Sequence, residues 1–278
     1  MAVLFVSDLD GTLFDGASRV SPRSLEIING LVARGLRFTI ATGRSPYTAI
    51  PLLRELDLRL PVVFMNGVFV YDPVTEEYLA TNVLDAATAR RGIETLMAQG
   101  LRPFVFIVDE SGAPRIHYQG AHNAAERHFV DLRASKGDQR FQLVDDYEAA
   151  LSQEILTIVT IDSEERAAAA REALAGDTGF CVMTTHDRDV LGNDWLELCH
   201  PLANKGDAVR FVRDRVGATR LVCFGDNGND LPMFAIAEES YAVANATEAA
   251  LLAASGVIAA NHDDGVALHM HAAAAQLL

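Results

Sequence analysis

Asp8 and Asp10 stand two residues apart at the end of an apolar run, in VLFVSDLDGTLF (residues 3–14). Residues so spaced at a strand end point the same way. Two carboxylates there repel each other unless a proton or a cation comes between them. Three other stretches share this placement. Ala41-Thr42-Gly43-Arg44 follows LRFTI and offers a hydroxyl, an accessible backbone N–H and the start of a helix, which suit a bound anion. Lys205-Gly206 opens a predicted helix, where an ammonium opposes the macrodipole and is a poor structural choice. Gly225-Asp226-Asn227-Gly228-Asn229-Asp230 follows RLVCF and adds two carboxylates, amides and flexible backbone. Together they offer oxygen ligands for a hard cation and donors for a phosphate. With no His/Cys cluster among them, magnesium is favoured over zinc.

Taken singly, each stretch has a plain structural reading as an Asp-rich turn or a strand-to-helix turn. An EF-hand beginning at Asp226 would need glutamate at its twelfth position, which is Ala237. One beginning at Asp8 would need glycine at its sixth, which is Leu13. Neither GxxxxGK[ST] nor GxGxxG occurs. The signal lies in order and placement, because ligands of open parallel sheets bind beyond the carboxyl ends of the strands.

The elements that must position these residues are legible in outline. AVLFVS, LRFTIA (36–41) and PVVFM (61–65) read as buried strands, with helices opened by Ser21-Pro22 and Ser45-Pro46 between them. Asn66-Gly67 is a two-residue hairpin signal. From about Asp85 the character changes to a helix ending at Gly100 and then PFVFIV, RIHYQ, FQLV, ILTIVTI, FCVMTT and WLELC. From Asn204 the first rhythm returns, with helix 204–216, strand 220–224, helix 229–237, strand SYAV, helix 247–254, strand VIAA and an Ala-rich helix. The expected fold is α/β: a Rossmann-like parallel sheet over 1–82 and 201–278, with an α+β unit inserted at 83–200.

Composition limits the function classes. The chain has 278 residues, 50% hydrophobic and 22% charged, with a formal net charge of −15. Such a surface repels nucleic acid and anionic lipid. It also repels a phosphorylated metabolite, so an anionic substrate needs a strong local positive site. Cys181, Cys199 and Cys223 are an odd count without CxxC, which fits reduced core thiols. The apolar run 2–6 is too short for a signal or spanning helix, and no later segment is long enough to cross a membrane. A soluble cytoplasmic protein, monomer or weak homodimer, is expected.

The order DLDGT, TGR, K, GDNGND resembles the haloacid dehalogenase superfamily of phosphohydrolases. MNG (65–67), NKG (204–206), VANA (243–246) and NHDDGVA (261–267) further resemble its Cof-type branch, with a large α/β cap between the second and third motifs. The resemblance implies a phosphatase acting on a small phosphorylated metabolite, such as a sugar phosphate. In it Asp8 attacks phosphorus and forms an aspartyl-phosphate, and Asp10 is general acid, then base. Mg²⁺ is held by the Asp8 and Asp226 carboxylates and the Asp10 carbonyl. Asp230 orients a metal-bound water or Lys205 from behind. Leu9, Thr42, Gly43, Lys205 and Asn229 hold phosphoryl oxygens. Arg44 is placed with them, either reaching the substrate or bracing the loop. The cap would close over the site and read the leaving group. Within it, Arg115, His117, Tyr118, His122, Asn123 and His128 either face substrate or form an ordinary amphipathic strand and helix. A phosphomannomutase-like phosphotransferase and a non-catalytic metabolite sensor are the alternatives on the same fold.

Overall fold

The computed structural model describes residues 2–187 and 190–277. The chain divides into two compact units, Met1–Thr81 with Ala203–Leu278, and Asn82–Leu202.

The first unit begins with β1 (Val3–Ser7), an apolar strand buried along its whole length. In α1 (Pro22–Ala33) the Ser21 hydroxyl accepts the Ser24 N–H at 2.9 Å and proline occupies the first turn. Then come β2 (Arg37–Ile40), α2 (Pro46–Leu53) and an antiparallel ribbon of β3 (Val62–Phe64), β4 (Phe69–Asp72) and β5 (Glu77–Thr81). A parallel bridge between Ala41 and Val63 joins the ribbon to the chain leaving β2. The hairpin expected at Asn66-Gly67 is not a two-residue turn. Phe64 pairs with Phe69, so four residues lie between the strands. Met65, Asn66 and Gly67 form a 3₁₀ turn with φ of 48°, 54° and 109°. The Asn66 N–H donates to the Thr42 carbonyl at 2.9 Å, so this loop is shaped by the neighbouring TGR turn.

The inserted unit contains α3 (Ala86–Ala98), β6 (Phe104–Val108), β7 (Pro114–Tyr118), α4 (Ala124–Ser135), β8 (Phe141–Leu143), α5 (Glu148–Leu151), β9 (Glu154–Ser163), α6 (Glu164–Ala173), β10 (Cys181–His186) and β11 (Asn193–Cys199). Its six-stranded sheet runs β10-β11-β9-β6-β7-β8, antiparallel except for the β7–β8 pair. Strand alternation gives each face its own core. Leu96, Val105, Ile158 and Leu196 belong to one. Phe104, Phe129 and Trp195 belong to the other, with Phe129 meeting Trp195 edge-on at 4.9 Å.

The first unit resumes with α7 (Lys205–Arg215), β12 (Arg220–Gly225), α8 (Leu231–Phe234), β13 (Glu239–Val243), α9 (Glu248–Ala253), β14 (Gly256–Ile258) and α10 (Gly265–Leu277). The main sheet has the order β14-β13-β12-β1-β2 and is parallel throughout. The helix expected over 229–237 is shorter. A 3₁₀ turn, Gly228–Asp230, precedes a four-residue helix, because the Asp230 carboxylate folds back onto its own loop. Cys181, Cys199 and Cys223 are not joined in a disulfide. Among the described residues no helix is long and apolar enough to cross a membrane.

Candidate active site

Strand register brings three of the four motifs together. Ser7 on β1 pairs with Phe224 on β12 and with Ile40 on β2, so the residues following each strand emerge side by side. The Asp8 N–H donates to the Phe224 carbonyl at 3.0 Å, and the Ala41 N–H to the Ser7 carbonyl at 3.0 Å. The fourth motif arrives on α7, whose cap is Asn204 accepting the Asp207 N–H at 2.9 Å. A Cβ on Gly206 would lie 2.6 Å from the Pro232 carbonyl oxygen, so only glycine lets the start of α7 come this close.

Lys205 is thereby wholly buried, and its ammonium is the centre of the site. Nζ donates to Asp8 Oδ1 and to Asp230 Oδ1, each at 2.6 Å. The other oxygen of Asp230 accepts the backbone N–H groups of Asp226 at 2.8 Å and Asn227 at 3.0 Å. Asp230 thus ties the ammonium to the GDNGND loop with both of its oxygens engaged. Gly225 is required here too, since a Cβ would sit 2.5 Å from Asp230 Cγ. Asp226 is buried, and its Oδ1 accepts the Thr12 hydroxyl at 2.9 Å.

The electrostatics are one-sided. Asp8, Asp226 and Asp230 are all buried, with a ligating atom of each within 4.8 Å of the others, and Lys205 is the cation set among them. Burial pushes the Asp8 carboxyl up to about 6; Lys205 pulls it down, and Asp230 and Asp10 add to the rise. For Lys205, burial disfavours the ammonium, but Asp230 and Asp8 outweigh it and hold the group above the ordinary lysine range. Three carboxylates against one ammonium leave uncompensated negative charge in a dry site. That donor set fits a hard divalent cation bound through oxygen.

The remaining expected residues line the same strand ends. Thr42 is buried, and its hydroxyl accepts the Arg44 N–H at 3.1 Å. Leu9 is buried, and its carbonyl accepts from the N–H of Leu13 at 3.0 Å and of Phe14 at 2.8 Å, which curls the loop after Asp8. Asn229 donates its amide to Asn66 Oδ1 at 3.0 Å. Gly43 is exposed beside this pair: a Cβ there would meet Asn66 Oδ1 at 3.3 Å and Asn229 Nδ2 at 3.7 Å. Asp10 and Arg44 stand apart from the buried cluster. Arg44, grouped above with the phosphate ligands, turns its guanidinium onto Asp10, with Nε to Oδ2 at 2.6 Å and Nη2 to Oδ1 at 2.5 Å.

Several contributors had no assigned role in the sequence. Thr12 was visible in DLDGT and Asn66 in MNG, but only the fold shows their partners. Asn245 donates to the Gly11 carbonyl at 2.8 Å and Asn261 to the Phe14 carbonyl at 2.7 Å, while the Asn261 N–H donates to Asn245 Oδ1 at 2.9 Å. These amides, from VANA and NHDD, fasten the loop that carries Asp8 and Asp10. In the inserted unit, much of the 115–128 stretch is engaged internally. Arg115 pairs with Asp109 at 2.9 Å, His117 meets Gln142 at 3.0 Å, and Asn123 and Glu126 form the capping box of α4.

A family model described as haloacid dehalogenase-like hydrolase matches residues 5–270. The chain is 26% identical over 275 residues to 5-amino-6-(5-phospho-D-ribitylamino)uracil phosphatase of Bacillus subtilis, covering 95% of this chain and 94% of that one. It is 27% identical over 266 residues to phosphoglycolate phosphatase of Haloarcula marismortui, covering 94% and 92%. Among solved structures, a subclass IIB sugar phosphatase of the haloacid dehalogenase superfamily superposes with a TM-score of 0.76 at 21% identity, over 97% of this chain and 98% of that one, a likeness of fold.

Proposed function

The chain belongs to the haloacid dehalogenase-like hydrolase family, and on that premise we propose that it is a magnesium-dependent phosphatase acting on a small phosphorylated metabolite, with sugar phosphates the first class to test. One observation carries the reading: the buried Lys205 ammonium bridges Asp8 and Asp230 at 2.6 Å each, with Asp226 beside them. This is a fixed positive group next to a carboxylate at a strand end, inside a chain of net charge −15. With a divalent cation held among the three carboxylates, it would supply the local positive site that an anionic substrate needs. The relatives named phosphatases above support the same class.

The chain's own groups then have distinct tasks. Lys205 engages Oδ1 of Asp8, which leaves the second carboxylate oxygen to attack phosphorus. The bond from phosphorus to the leaving oxygen breaks as that to Asp8 forms, and Asp10 gives the departing alcohol its proton. Water then attacks the aspartyl-phosphate, Asp10 takes its proton, and phosphate leaves. Lys205, Asn229, the Thr42 hydroxyl and the N–H groups of Leu9 and Gly43 compensate charge on the phosphoryl oxygens. Mg²⁺ held by Asp8, Asp226 and the Asp10 carbonyl would supply further charge compensation. The inserted unit is the part assigned to substrate selection.

The test is a panel of phosphorylated sugars, nucleotides and cofactors, with and without magnesium, following free phosphate and sugar-phosphate isomers separately. Free phosphate is expected; isomer formation without it would make the protein a phosphotransferase, and binding without turnover a sensor. Asp226→Asn should raise the magnesium concentration for half-maximal activity by roughly tenfold or more. An unchanged magnesium titration would remove Asp226 from the metal shell. Proton competition gives a further expectation. Because burial pushes Asp8 up to about 6, a cation must displace a proton there in acid. Magnesium affinity should fall about tenfold between about pH 7 and pH 5, read by calorimetry. Affinity flat over that interval would show that Asp8 is not a ligand.

A further inference from the structure

Arg44 is engaged by the loop that carries the acid/base carboxylate. Its Nε and Nη2 grip both oxygens of Asp10 in a bidentate pair, and Nη2 also donates to the Ser18 hydroxyl at 2.8 Å. The guanidinium lies over the Phe14 ring, 5.4 Å from its centroid. That ring is buried and its backbone is fixed at both ends, the N–H to Leu9 and the carbonyl by Asn261. The start of the Arg44 side chain is fixed as well, by its N–H on the Thr42 hydroxyl and its carbonyl accepting from Met65.

Exposure decides what this pair is for. The Asp10 side chain is 41% exposed and that of Arg44 20% exposed. A pair so open to water contributes little to stability. A planar fork held on an aromatic face instead sets direction, because two parallel hydrogen bonds fix both the position and the plane of the carboxylate. We propose that Arg44 is a positioning residue that acts through Asp10: the carboxyl group passes its proton to the leaving oxygen, and the fork orients and holds the carboxylate that this leaves, without binding the phosphoryl group. This rests on the phosphatase reading above.

The leaving group separates the two roles. An aryl phosphate such as p-nitrophenyl phosphate releases a stable phenolate and has little need of a proton donor. An alkyl phosphate such as glucose 6-phosphate releases an alkoxide-like oxygen and depends on one. The ratio kcat/KM covers events up to departure of the alcohol and does not report the later attack by water, so it isolates the proton-donating step. Arg44→Ala should lower kcat/KM for the alkyl phosphate by roughly a hundredfold while changing the aryl value by less than about threefold. Asp10→Asn should lose at least as much on the alkyl phosphate, and the double variant should be no worse than Asp10→Asn alone. Arg44→Lys keeps the charge but not the fork. It should show the same selective loss in smaller measure, and it replaces Arg44→Ala if that protein does not fold. Equal losses on both substrates, additivity with Asp10→Asn, or no loss on either would overturn the proposal. The alkyl phosphate used is one from the panel above that the parent hydrolyses; if the parent hydrolyses no member of that panel, the phosphatase reading fails instead, which the parent assay shows before any variant is made.

Discussion

Asp8→Asn should abolish phosphate release while leaving the protein folded. The carboxamide keeps the shape of the side chain but cannot form an acyl phosphate, so the covalent route closes. Turnover of p-nitrophenyl phosphate with magnesium should fall by roughly a thousandfold or more. Folding should survive for an electrostatic reason. Asp8 is a buried carboxylate that burial pushes up to about 6, so the fold does not depend on its charge. Lys205 would keep its 2.6 Å bond to Asp230 and remain paired. The melting temperature should therefore move by only a few degrees, and beryllium fluoride should mark residue 8 in the parent but not in the variant. Turnover within about tenfold of the parent would place the nucleophile elsewhere.

What the sequence carried, and what it did not, follows from the range of the interactions involved. A strand ending in Asp8, a turn at Thr42–Arg44 and a loop at 225–230 are local features, written in apolar runs and the residues that stop them. Lys205 was legible as an anomaly, an ammonium where the helix dipole disfavours one. Its environment resolves the anomaly, since two carboxylates outweigh the dipole. Contacts across long sequence distances were not legible. Arg44 finds Asp10 from 34 residues away, and Thr12 finds Asp226 from 214 away. Nothing in either tripeptide distinguishes a guanidinium aimed at substrate from one aimed at a carboxylate. Asn66 shows how a local rule is overridden. Asn-Gly predicts a two-residue hairpin, but bonds to Thr42 and Asn229 draw the loop into a wider turn with three consecutive positive φ angles. Such backbone costs of order 1–3 kcal/mol per non-glycine residue and persists where surrounding contacts over-determine it.

Lys205→Met should be the most damaging single change to stability and should also cut turnover heavily. Methionine is close to lysine in length and unbranched, so it fills most of the buried space of the side chain without the charge. What remains is Asp8 and Asp230, both of which had accepted a bond from Nζ, next to Asp226 in the same buried cluster. Removing one partner of a buried charge pair costs about 3–5 kcal/mol, because the other charge is left in a dry environment without compensation. Against a typical total of about 5–15 kcal/mol, that is a large fraction. The melting temperature measured without magnesium should drop by roughly 10 °C. Magnesium should recover part of the loss, since a cation bound by the folded state stabilises it. Adding Asp230→Asn should recover more, because one orphaned carboxylate is then neutral, whereas turnover should stay at least about a hundredfold down, the phosphoryl oxygens having lost their fixed cation. That split between recovered stability and unrecovered activity distinguishes a charge that works on the substrate from one that merely props up the loop. Lys205→Arg should not substitute, since its wider fork would have to enter a wholly buried site, an overpacking worth about 1–3 kcal/mol. A Lys205→Met protein that melted with its parent and turned over normally would mean that the charges of Asp8 and Asp230 are compensated by something other than this ammonium.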